Sequence, residues 1–338
     1  MGYGITNDAY YPAIASAIRE KAGTTQTYRP SEMAPAIEAI SAGMDPIEAI
    51  ATVIPSGTVS GSFSLVRNGA FGFCSSLTTV SLPACTTVGG YAFYSCVSLV
   101  SVDLPACTTV SNSAFCSCSS LATVSLPVCT TLYTYAFAYC RSLATVSLPA
   151  CTYVGYSAFQ NCYSLATVNL PVCTEVGNWA FGYCYSLATV SLPKCTKVGN
   201  AAFYSCTTLK SVSLPACTSV GSSAFAYCNS ITSISLPACT TVGSSAFYSC
   251  KSLFSVSLPV CTSISSNAFR GCFSLTKLYL TSVTSVPALG TSAFASTPIG
   301  GYSASIGWFG SVYVPNSLVN SFKTATNWAS ISSRIFGV

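Results

Sequence analysis

The chain has 338 residues, of which 51% are hydrophobic and only 6% are charged, and its formal net charge is +5. No apolar run reaches the roughly 18 residues of a membrane-spanning helix, so the sequence predicts no membrane insertion. The absence of histidine excludes catalysis by a Ser–His or Cys–His pair.

Residues 1–50 differ from the rest of the chain and are predicted to be a helical attachment or cap region. Apolar side chains recur at helical spacing over residues 9–22, and Gly23 ends that helix. Ser31 is a suitable N-cap for a second helix, and the proline after Asp45 marks the start of a third. The start of the chain has neither the basic nor the apolar part of a signal peptide, so no secretory leader is predicted.

A unit of 22 residues repeats without insertion or deletion through most of the chain. Its marker is the pair Ala-Phe, which ends at Phe71, Phe93, Phe115, Phe137, Phe159, Phe181, Phe203, Phe225, Phe247 and Phe269. A fixed period of this size is the signature of a solenoid, in which each turn contacts only its neighbours. We therefore predict a solenoid over residues 70–280, preceded by a linker and N-terminal cap at residues 51–69.

One turn, residues 92–113, shows how the repeat is built. Phe93, Cys96 and Leu99 are spaced by three, which predicts a tight helical or 3₁₀ turn with these side chains inside. Val102 and Leu104 are spaced by two, which predicts a short strand. Stacking such turns predicts one parallel sheet, with irregular turns on the other side and nine or ten turns in all.

A glycine recurs after the inward valine that ends many repeats. It stands at Gly89, Gly155, Gly177, Gly199, Gly221 and Gly243. Glycine adopts a left-handed backbone most easily, and we expect that conformation at these positions.

Nineteen of the twenty cysteines fall in two columns of the repeat. The Phe-column cysteines follow Ala-Phe-x-x and are Cys74, Cys96, Cys118, Cys140, Cys162, Cys184, Cys206, Cys228, Cys250 and Cys272. The Pro-column cysteines follow Leu-Pro-x and are Cys85, Cys107, Cys129, Cys151, Cys173, Cys195, Cys217, Cys239 and Cys261.

Both cysteine columns are predicted to be buried ladders of reduced thiols. Parallel side chains on successive turns keep their Cβ atoms about 4.8 Å apart, whereas a disulfide needs about 3.8 Å. The chain has no C-x-x-C motif and no histidine, so no metal site and no cofactor are predicted. Cys116 stands outside both columns and is expected to be an exposed free thiol.

The repeat pattern changes after Leu280, and residues 281–338 are predicted to be a C-terminal cap. Phe294 arrives three residues late, and Ser311 to Pro315 reads as a strand that is followed by a helix. A strand and helix at this point would cover the open end of the stack, as a terminal cap must.

Sequence variation between repeats gathers near Ala-Phe and the following cysteine, where many repeats carry Tyr or Trp. Such rings on a rigid scaffold resemble an antibody paratope, because they offer contact area at low entropic cost. The alternative is that tyrosine only covers the outer turns, since it tolerates half-burial. The candidate ligand-binding residues are Tyr133, Tyr135, Tyr139, Tyr156, Tyr163, Trp179, Tyr183, Tyr185 and Tyr204.

The repeated motif Ala-Phe-x-x-Cys-x-Ser-Leu-x-x-Val-x-Leu-Pro, over roughly residues 65–280, resembles the BspA-like leucine-rich repeat family. The stretch from Ser311 to Trp328 is similar to the closing segment of that family. The resemblance implies a bacterial surface adhesin or binding module without catalytic residues. The second cysteine, in Leu-Pro-x-Cys-Thr, is not a general feature of the family.

The N-terminal segment from Tyr11 to Gly23, with Pro30 to Ala34, is similar to the leader helices of tail proteins from phages of Gram-positive hosts. This resemblance implies a virion protein that is assembled in the host cytoplasm and contacts other tail proteins through residues 1–50. A plain helical cap for the solenoid is the alternative. Reduced cysteines and the missing leader favour the phage hypothesis.

These observations predict a non-enzymatic binding protein, and the leading hypothesis is a phage tail fibre or receptor-binding protein. Its expected partner is a host cell-surface glycan or protein, and it can form a homo-oligomer. The alternative is a bacterial cell-surface adhesin. A minor alternative is ice binding by the rows of Ser and Thr on the strands.

The distribution of charged residues bears on the class of ligand and on whether the chain could be a glycosidase. Residues 1–48 carry a net charge of −3 and the remainder carries +8. The simplest interpretation is that scattered lysines keep a serine-rich surface soluble, and the alternative is a preference for an acidic glycan or an anionic envelope. The solenoid holds only Asp103 and Glu175, more than three turns apart, too far for a glycosidase pair. The basic residues are dispersed, so no nucleic-acid partner is predicted.

Overall fold

The computed structural model describes residues 53–54, 57–301 and 309–338, most of which form a stack of turns built from short parallel β-strands. The helices predicted within residues 1–50 lie outside the described residues. In chain order the strands are β1 (Val53–Ile54), β2 (Thr58–Ser60), β3 (Leu65–Val66), β4 (Thr79–Ser81), β5 (Thr87–Val88), β6 (Ser101–Asp103), β7 (Thr109–Val110), β8 (Thr123–Ser125), β9 (Thr131–Leu132), β10 (Thr145–Ser147), β11 (Tyr153–Val154), β12 (Thr167–Asn169), β13 (Glu175–Val176), β14 (Thr189–Ser191), β15 (Lys197–Val198), β16 (Ser211–Ser213), β17 (Ser219–Val220), β18 (Ser233–Ser235), β19 (Thr241–Val242), β20 (Ser255–Ser257), β21 (Ser263–Ile264), β22 (Lys277–Tyr279), β23 (Ala288–Leu289), β24 (Ser311–Val314) and β25 (Ile335–Gly337).

The predicted solenoid is confirmed, and it has two parallel sheets. The even-numbered strands β2 to β24 form the first sheet, and the odd-numbered strands β3 to β23 form the second. Equivalent residues of successive repeats pair in register, as Val146 does with Val168, because the period is constant. An aliphatic residue at the centre of a first-sheet strand, such as Val146, points inward, and a polar residue on either side, usually Ser or Thr, points outward, as an alternating strand requires.

The expectation of irregular turns opposite a single sheet is wrong. The second sheet is a continuous ladder of 11 strands, each only two residues long, such as Thr109–Val110. The expectation of nine or ten turns is also too low, because twelve strands succeed one another from β2 to β24. The additional turns lie at the ends, where the Ala-Phe motif is absent or displaced.

Hydrogen bonding of the first sheet is interrupted twice. Its ladders run from β1 to β8, from β10 to β16 and from β18 to β25. Under the first interruption lies an apolar gap, lined by Val124, Leu126, Phe137, Val146 and Leu148 among others, that is too narrow to hold a water molecule. The second sheet stays continuous there, so the stack is held together on one side.

Phenylalanine rings form the central column of the core. They are Phe71, Phe93, Phe115, Phe137, Phe159, Phe181, Phe203, Phe225, Phe247, Phe269 and Phe294. Successive rings are nearly parallel, as Phe115 and Phe137 are, with centroids 5.1 Å apart and planes at 3°. The column continues to Phe294, 5.6 Å from Phe269, although Phe294 arrives three residues late in the sequence.

The cysteine ladder is confirmed, and hydrogen bonding explains its chemistry. In the Phe column, the thiol of Cys140 donates to the carbonyl of Phe115 at 3.1 Å, and the same bond recurs up the stack. In the Pro column, the thiol of Cys151 donates to the carbonyl of Tyr153 at 3.3 Å. From Cys85 and Cys96 onward, each thiol of the two columns therefore fills apolar space and also donates to a backbone carbonyl, which alanine or valine cannot do.

Cys116 is buried, with only 6% of its surface exposed, so the expectation of an exposed thiol is wrong. It occupies the position directly after Phe115, beside Tyr94 of the preceding turn. Burial raises the pKa of its thiol, because the thiolate loses its hydration.

The expectation that the glycines after the inward valine have a left-handed backbone is also wrong. The positive φ values fall on other residues, two in most turns, such as Tyr135 (56°) and Tyr139 (62°). Glycine follows the valine for a different reason: a Cβ on Gly177 would lie 2.8 Å from the backbone of Gly155 in the preceding turn. Close approach of two backbones, rather than an unusual dihedral angle, requires glycine there.

The strand and helix predicted for the C-terminal cap are confirmed. β24 is followed by a 3₁₀ turn (Asn316–Leu318), helix α1 (Val319–Thr324), a 3₁₀ segment (Ala329–Arg334) and β25. Trp328 lies against Phe294 at a centroid distance of 6.0 Å and donates from Nε1 to the carbonyl of Pro287 at 2.7 Å. This side chain therefore closes the phenylalanine column. Among the described residues, none of the helices is long and apolar enough to span a bilayer.

Candidate binding surface

The candidate side chains lie on the edge of the solenoid between the end of the second sheet and the start of the first, here called the turn edge. Backbone N–H groups alternate there between two kinds of acceptor. Phe93 donates to Ala114 of the next turn at 2.7 Å, whereas Tyr94 donates to Tyr91 within its own turn at 3.1 Å. Residues two positions before and after each Phe have a left-handed backbone, which accompanies this alternation. Some of their side chains are exposed, as Tyr139 is, and others are buried, as Ser157 is.

Seven aromatic side chains on the turn edge form one continuous series of ring contacts, the aromatic ridge. Its members are Tyr163, Trp179, Tyr183, Tyr185, Tyr204, Tyr227 and Tyr248. Tyr163 stacks on Tyr185 at 5.2 Å, and Trp179 contacts Tyr204 at 5.1 Å. Tyr185 and Tyr227 are 41% and 36% exposed, and the other five rings are half-buried.

Four of the seven ridge rings, one from each of four successive turns, are arranged in a zigzag. Tyr183, Tyr204, Tyr227 and Tyr248 meet edge to face at 5.3–5.5 Å, the preferred geometry for aromatic pairs. The tyrosine stands alternately two positions and one position after the Phe. A small residue occupies the other position in each case, as Gly182 does beside Tyr183, and this leaves room for the ring of the next turn.

Three rings of the ridge are held in a backbone conformation that disfavours bulky side chains. Trp179, Tyr183 and Tyr227 have φ values of 59°, 62° and 63°. A left-handed residue other than glycine costs roughly 1–2 kcal/mol, and the cost is met by the inter-turn hydrogen bonds on either side. The same conformation recurs at the equivalent positions of the other turns, so it belongs to the repeat and is not specific to the ridge.

Five of the nine sequence-predicted residues belong to the ridge: Tyr163, Trp179, Tyr183, Tyr185 and Tyr204. Tyr135 and Tyr156 form a separate pair at 5.4 Å, edge to face. Tyr133 and Tyr139 are exposed, and neither joins these two groups in the described ring contacts.

Tyr227, Tyr248 and Arg141 belong to this surface but were not among the predicted site residues. The guanidinium of Arg141 lies 5.5 Å from the ring centroid of Tyr163. The alternating spacings of 21 and 23 residues between Tyr183, Tyr204, Tyr227 and Tyr248 are a sequence signal that identifies the zigzag.

The hydroxyls of Tyr185 and Tyr204 stay neutral at physiological pH. Burial raises the pKa of Tyr185 and Tyr204, and neighbouring tyrosines raise both further, because an anion would repel their ionised forms. Burial and the neighbouring Tyr156 likewise raise the pKa of Tyr135. The surface therefore presents uncharged rings with hydroxyl groups that can donate and accept hydrogen bonds.

Other candidate chemistries are not supported by the geometry. Asp103 lies on the first sheet and Glu175 on the second, where Lys197 pairs with Glu175 at 2.8 Å, so these carboxylates do not form a pair. The first-sheet hydroxyl rows are divided by the two interruptions of the ladder. Thr152 and its equivalents beside the second sheet donate to carbonyls of the preceding turn. No described group of three or more Cys, Asp or Glu is arranged for a metal ion.

Comparison with known proteins identifies the repeat. Residues 64–188 and 174–300 match the family described as BspA type leucine rich repeat region. A leucine-rich repeat protein from Bacteroides ovatus has a similar structure, with a TM-score of 0.56 at 20% identity, over 82% of this chain and 88% of that one. A leucine rich cell surface protein from Faecalibacterium prausnitzii aligns with a TM-score of 0.32 at 24% identity, over 64% of this chain and 82% of that one. No curated protein matches the chain.

Proposed function

Because the chain belongs to the BspA-type leucine-rich repeat family, we propose that it is a non-enzymatic binding protein that recognises a cell-surface glycan through its aromatic ridge. The ridge carries the proposal, since seven rings are brought into contact with one another on a rigid scaffold and Tyr185 and Tyr227 among them are exposed. Rigid aromatic side chains supply binding area at low entropic cost.

A sugar suits this surface better than a flat aromatic or apolar ligand. The faces of tyrosine and tryptophan carry negative partial charge, which attracts the polarised C–H groups on the apolar face of a pyranose ring. The neutral hydroxyls of Tyr185 and Tyr204 supply hydrogen bonds to sugar hydroxyls. A glycan therefore uses both the rings and the hydroxyls of the ridge.

Replacing Tyr163 and Tyr185 together by Ala tests the proposal. Glycan-array or calorimetric binding should weaken about tenfold or more, because rings at the centre of an interface contribute more than about 1 kcal/mol each. The melting temperature should stay within about 2 °C, since neither ring belongs to the phenylalanine column.

The matched control removes two rings of another turn-edge cluster, Tyr91 and Tyr94, which contact each other at 5.7 Å. This double alanine variant should bind like the unaltered protein. Equal binding by both variants and the unaltered protein would refute a role for the ridge.

We propose that the protein displays this binding surface either on a bacterial cell surface or on a phage tail. Family membership favours the adhesin, and the N-terminal resemblance favours the tail, but residues 1–50 lie outside the described structure. Immunogold labelling of the producing culture distinguishes the two: label on intact cell surfaces supports the adhesin, and label at the tips of released phage tails supports the virion protein.

A further inference from the structure

Exposed cations stand at both ends of the aromatic ridge. At the N-terminal end, Arg141 places its guanidinium over Tyr163. At the C-terminal end, Lys251 and Arg270 follow the last ring, Tyr248. Lys251 holds the same repeat position as Arg141, Tyr163 and Tyr185, four residues after the Phe, and Arg270 holds the same position as Tyr204 and Tyr248. The cations therefore continue the same columns as the rings.

The turn edge offers these cations no carboxylate partner. Within the described ranges the acidic side chains are Asp103 and Glu175, which project from the first and second sheets, and Glu175 is paired with Lys197. Arg270 donates only a long hydrogen bond, 3.4 Å, to the neutral amide oxygen of Asn267. The ridge is thus a surface of neutral rings between positive ends.

We propose that the ridge binds a linear acidic polysaccharide, with carboxylates held by Arg141 at one end and by Lys251 and Arg270 at the other. This inference rests on the proposed glycan-binding function and specifies, in addition, that the glycan is negatively charged. Arg141 and Lys251 are five turns apart, which is roughly 24 Å at about 4.8 Å per turn. A ligand that reaches both must be extended and must carry more than one charge.

The chemistry of each group fits a carboxylated sugar chain. A guanidinium that stacks on a ring keeps its N–H donors at its edge, where they can bind a carboxylate with two parallel hydrogen bonds. Sugar rings between the charged ends can lie on Tyr163, Tyr185 and Tyr204. Together with Lys210, which is exposed and directly precedes β16, there are four cations along this length of the turn edge. They are too few for a nucleic acid, whose phosphates recur about every 3.4 Å along each strand of a duplex.

A pair of probes that differ only in charge tests the inference: oligogalacturonate, and the same oligosaccharide with its carboxyls methyl-esterified. At about 0.05 M salt, where surface charges are weakly screened, the protein should bind the acid at least about tenfold more tightly than the ester. Replacing Arg141 and Arg270 by Gln should reduce this preference for the acid severalfold, because these two guanidinium groups are proposed to hold carboxylates at opposite ends of the ridge.

Replacing Lys194 and Lys277 by Gln is the control, because it removes the same charge away from the ridge. This variant should keep the preference for the acid. Equal binding of acid and ester by the unaltered protein, or equal loss of preference in both variants, would overturn the inference and leave the glycan-binding function standing. Binding of polyglutamate or an oligonucleotide, with neither sugar bound, would overturn both.

Discussion

Individual backbone positions determine which side chains the turn edge can display. The left-handed residue two positions before each Phe donates its N–H to the next turn, as Tyr135 does to Tyr156 at 2.9 Å. Serine occupies this position in several repeats, and in others tyrosine or tryptophan does, at a higher steric cost. A repeat that carries a bulky ring here gives up stability for surface chemistry.

Ser245→Gly is expected to stabilise the protein, because Ser245 has φ of 56° and glycine tolerates that angle without strain. We expect the free energy of unfolding in urea to rise by about 0.5–1 kcal/mol. The neighbouring Ser244, whose φ is not positive, is the control, and Ser244→Gly should lower the same quantity. A decrease for both variants would contradict the assigned strain.

Most inward residues could be predicted from the sequence, because Phe93, Cys96 and Leu99 repeat at a constant period that only a stacked core explains. The glycine after the valine could not be interpreted correctly, since its role depends on the distance to the preceding turn. The burial of Cys116 could not be predicted for a similar reason: its surroundings include Tyr94 of the preceding turn, which a pattern within one repeat does not show.

Secondary-structure elements of this protein are very short and depend on their neighbours in the stack. The strands of the second sheet, such as Thr109–Val110, have only two residues, which is too short to show the alternation of apolar and polar residues that identifies a strand in a sequence. They exist because each pairs with equivalent strands of the neighbouring turns, as nearest-neighbour stabilisation in a solenoid requires. The ends of the stack lack one such neighbour and need a dedicated cap.

Trp328→Ala is expected to unfold the C-terminal end of the solenoid. The change exposes Phe294, creates a cavity beside Phe322 and removes the hydrogen bond to Pro287, at a cost of about 3–5 kcal/mol. Hydrogen exchange measured by mass spectrometry should accelerate around Phe294 while the turn around Phe137 stays protected.

The control for the cap is Phe309→Ala, which removes an exposed ring that contacts Arg334 at 3.8 Å. Exchange around Phe294 should change little in this variant. Uniform acceleration through all turns after Trp328→Ala would contradict local, nearest-neighbour stabilisation.

The buried thiols make the stability of the whole molecule sensitive to alkali. Burial raises the pKa of Cys107, Cys129, Cys151 and Cys173 from the ordinary value of 9.0 to about 12, with smaller contributions from neighbouring cysteines. Below pH 9 both the folded and the unfolded chain keep these protons. Above it the unfolded chain releases protons that the folded chain retains, so stability falls as pH rises towards 12.

We therefore expect the urea midpoint of unfolding to fall steeply between about pH 9 and pH 12, because each such thiol removes about 1.4 kcal/mol per pH unit. Replacing Cys107, Cys129 and Cys151 by Ser should make this pH dependence shallower, since serine does not titrate there. An unchanged slope in the triple variant would contradict the contribution of the buried thiols.

At the scale of the whole molecule, the central claim is that binding occurs on the turn edge rather than on either sheet. Hydrogen exchange of the protein with and without saturating oligogalacturonate tests this most directly. The account predicts added protection in peptides that cover residues 179–186 and 201–208, with little change in the outward first-sheet strands such as Thr189–Ser191. Protection confined to the sheet strands, with none along the aromatic ridge, would contradict it.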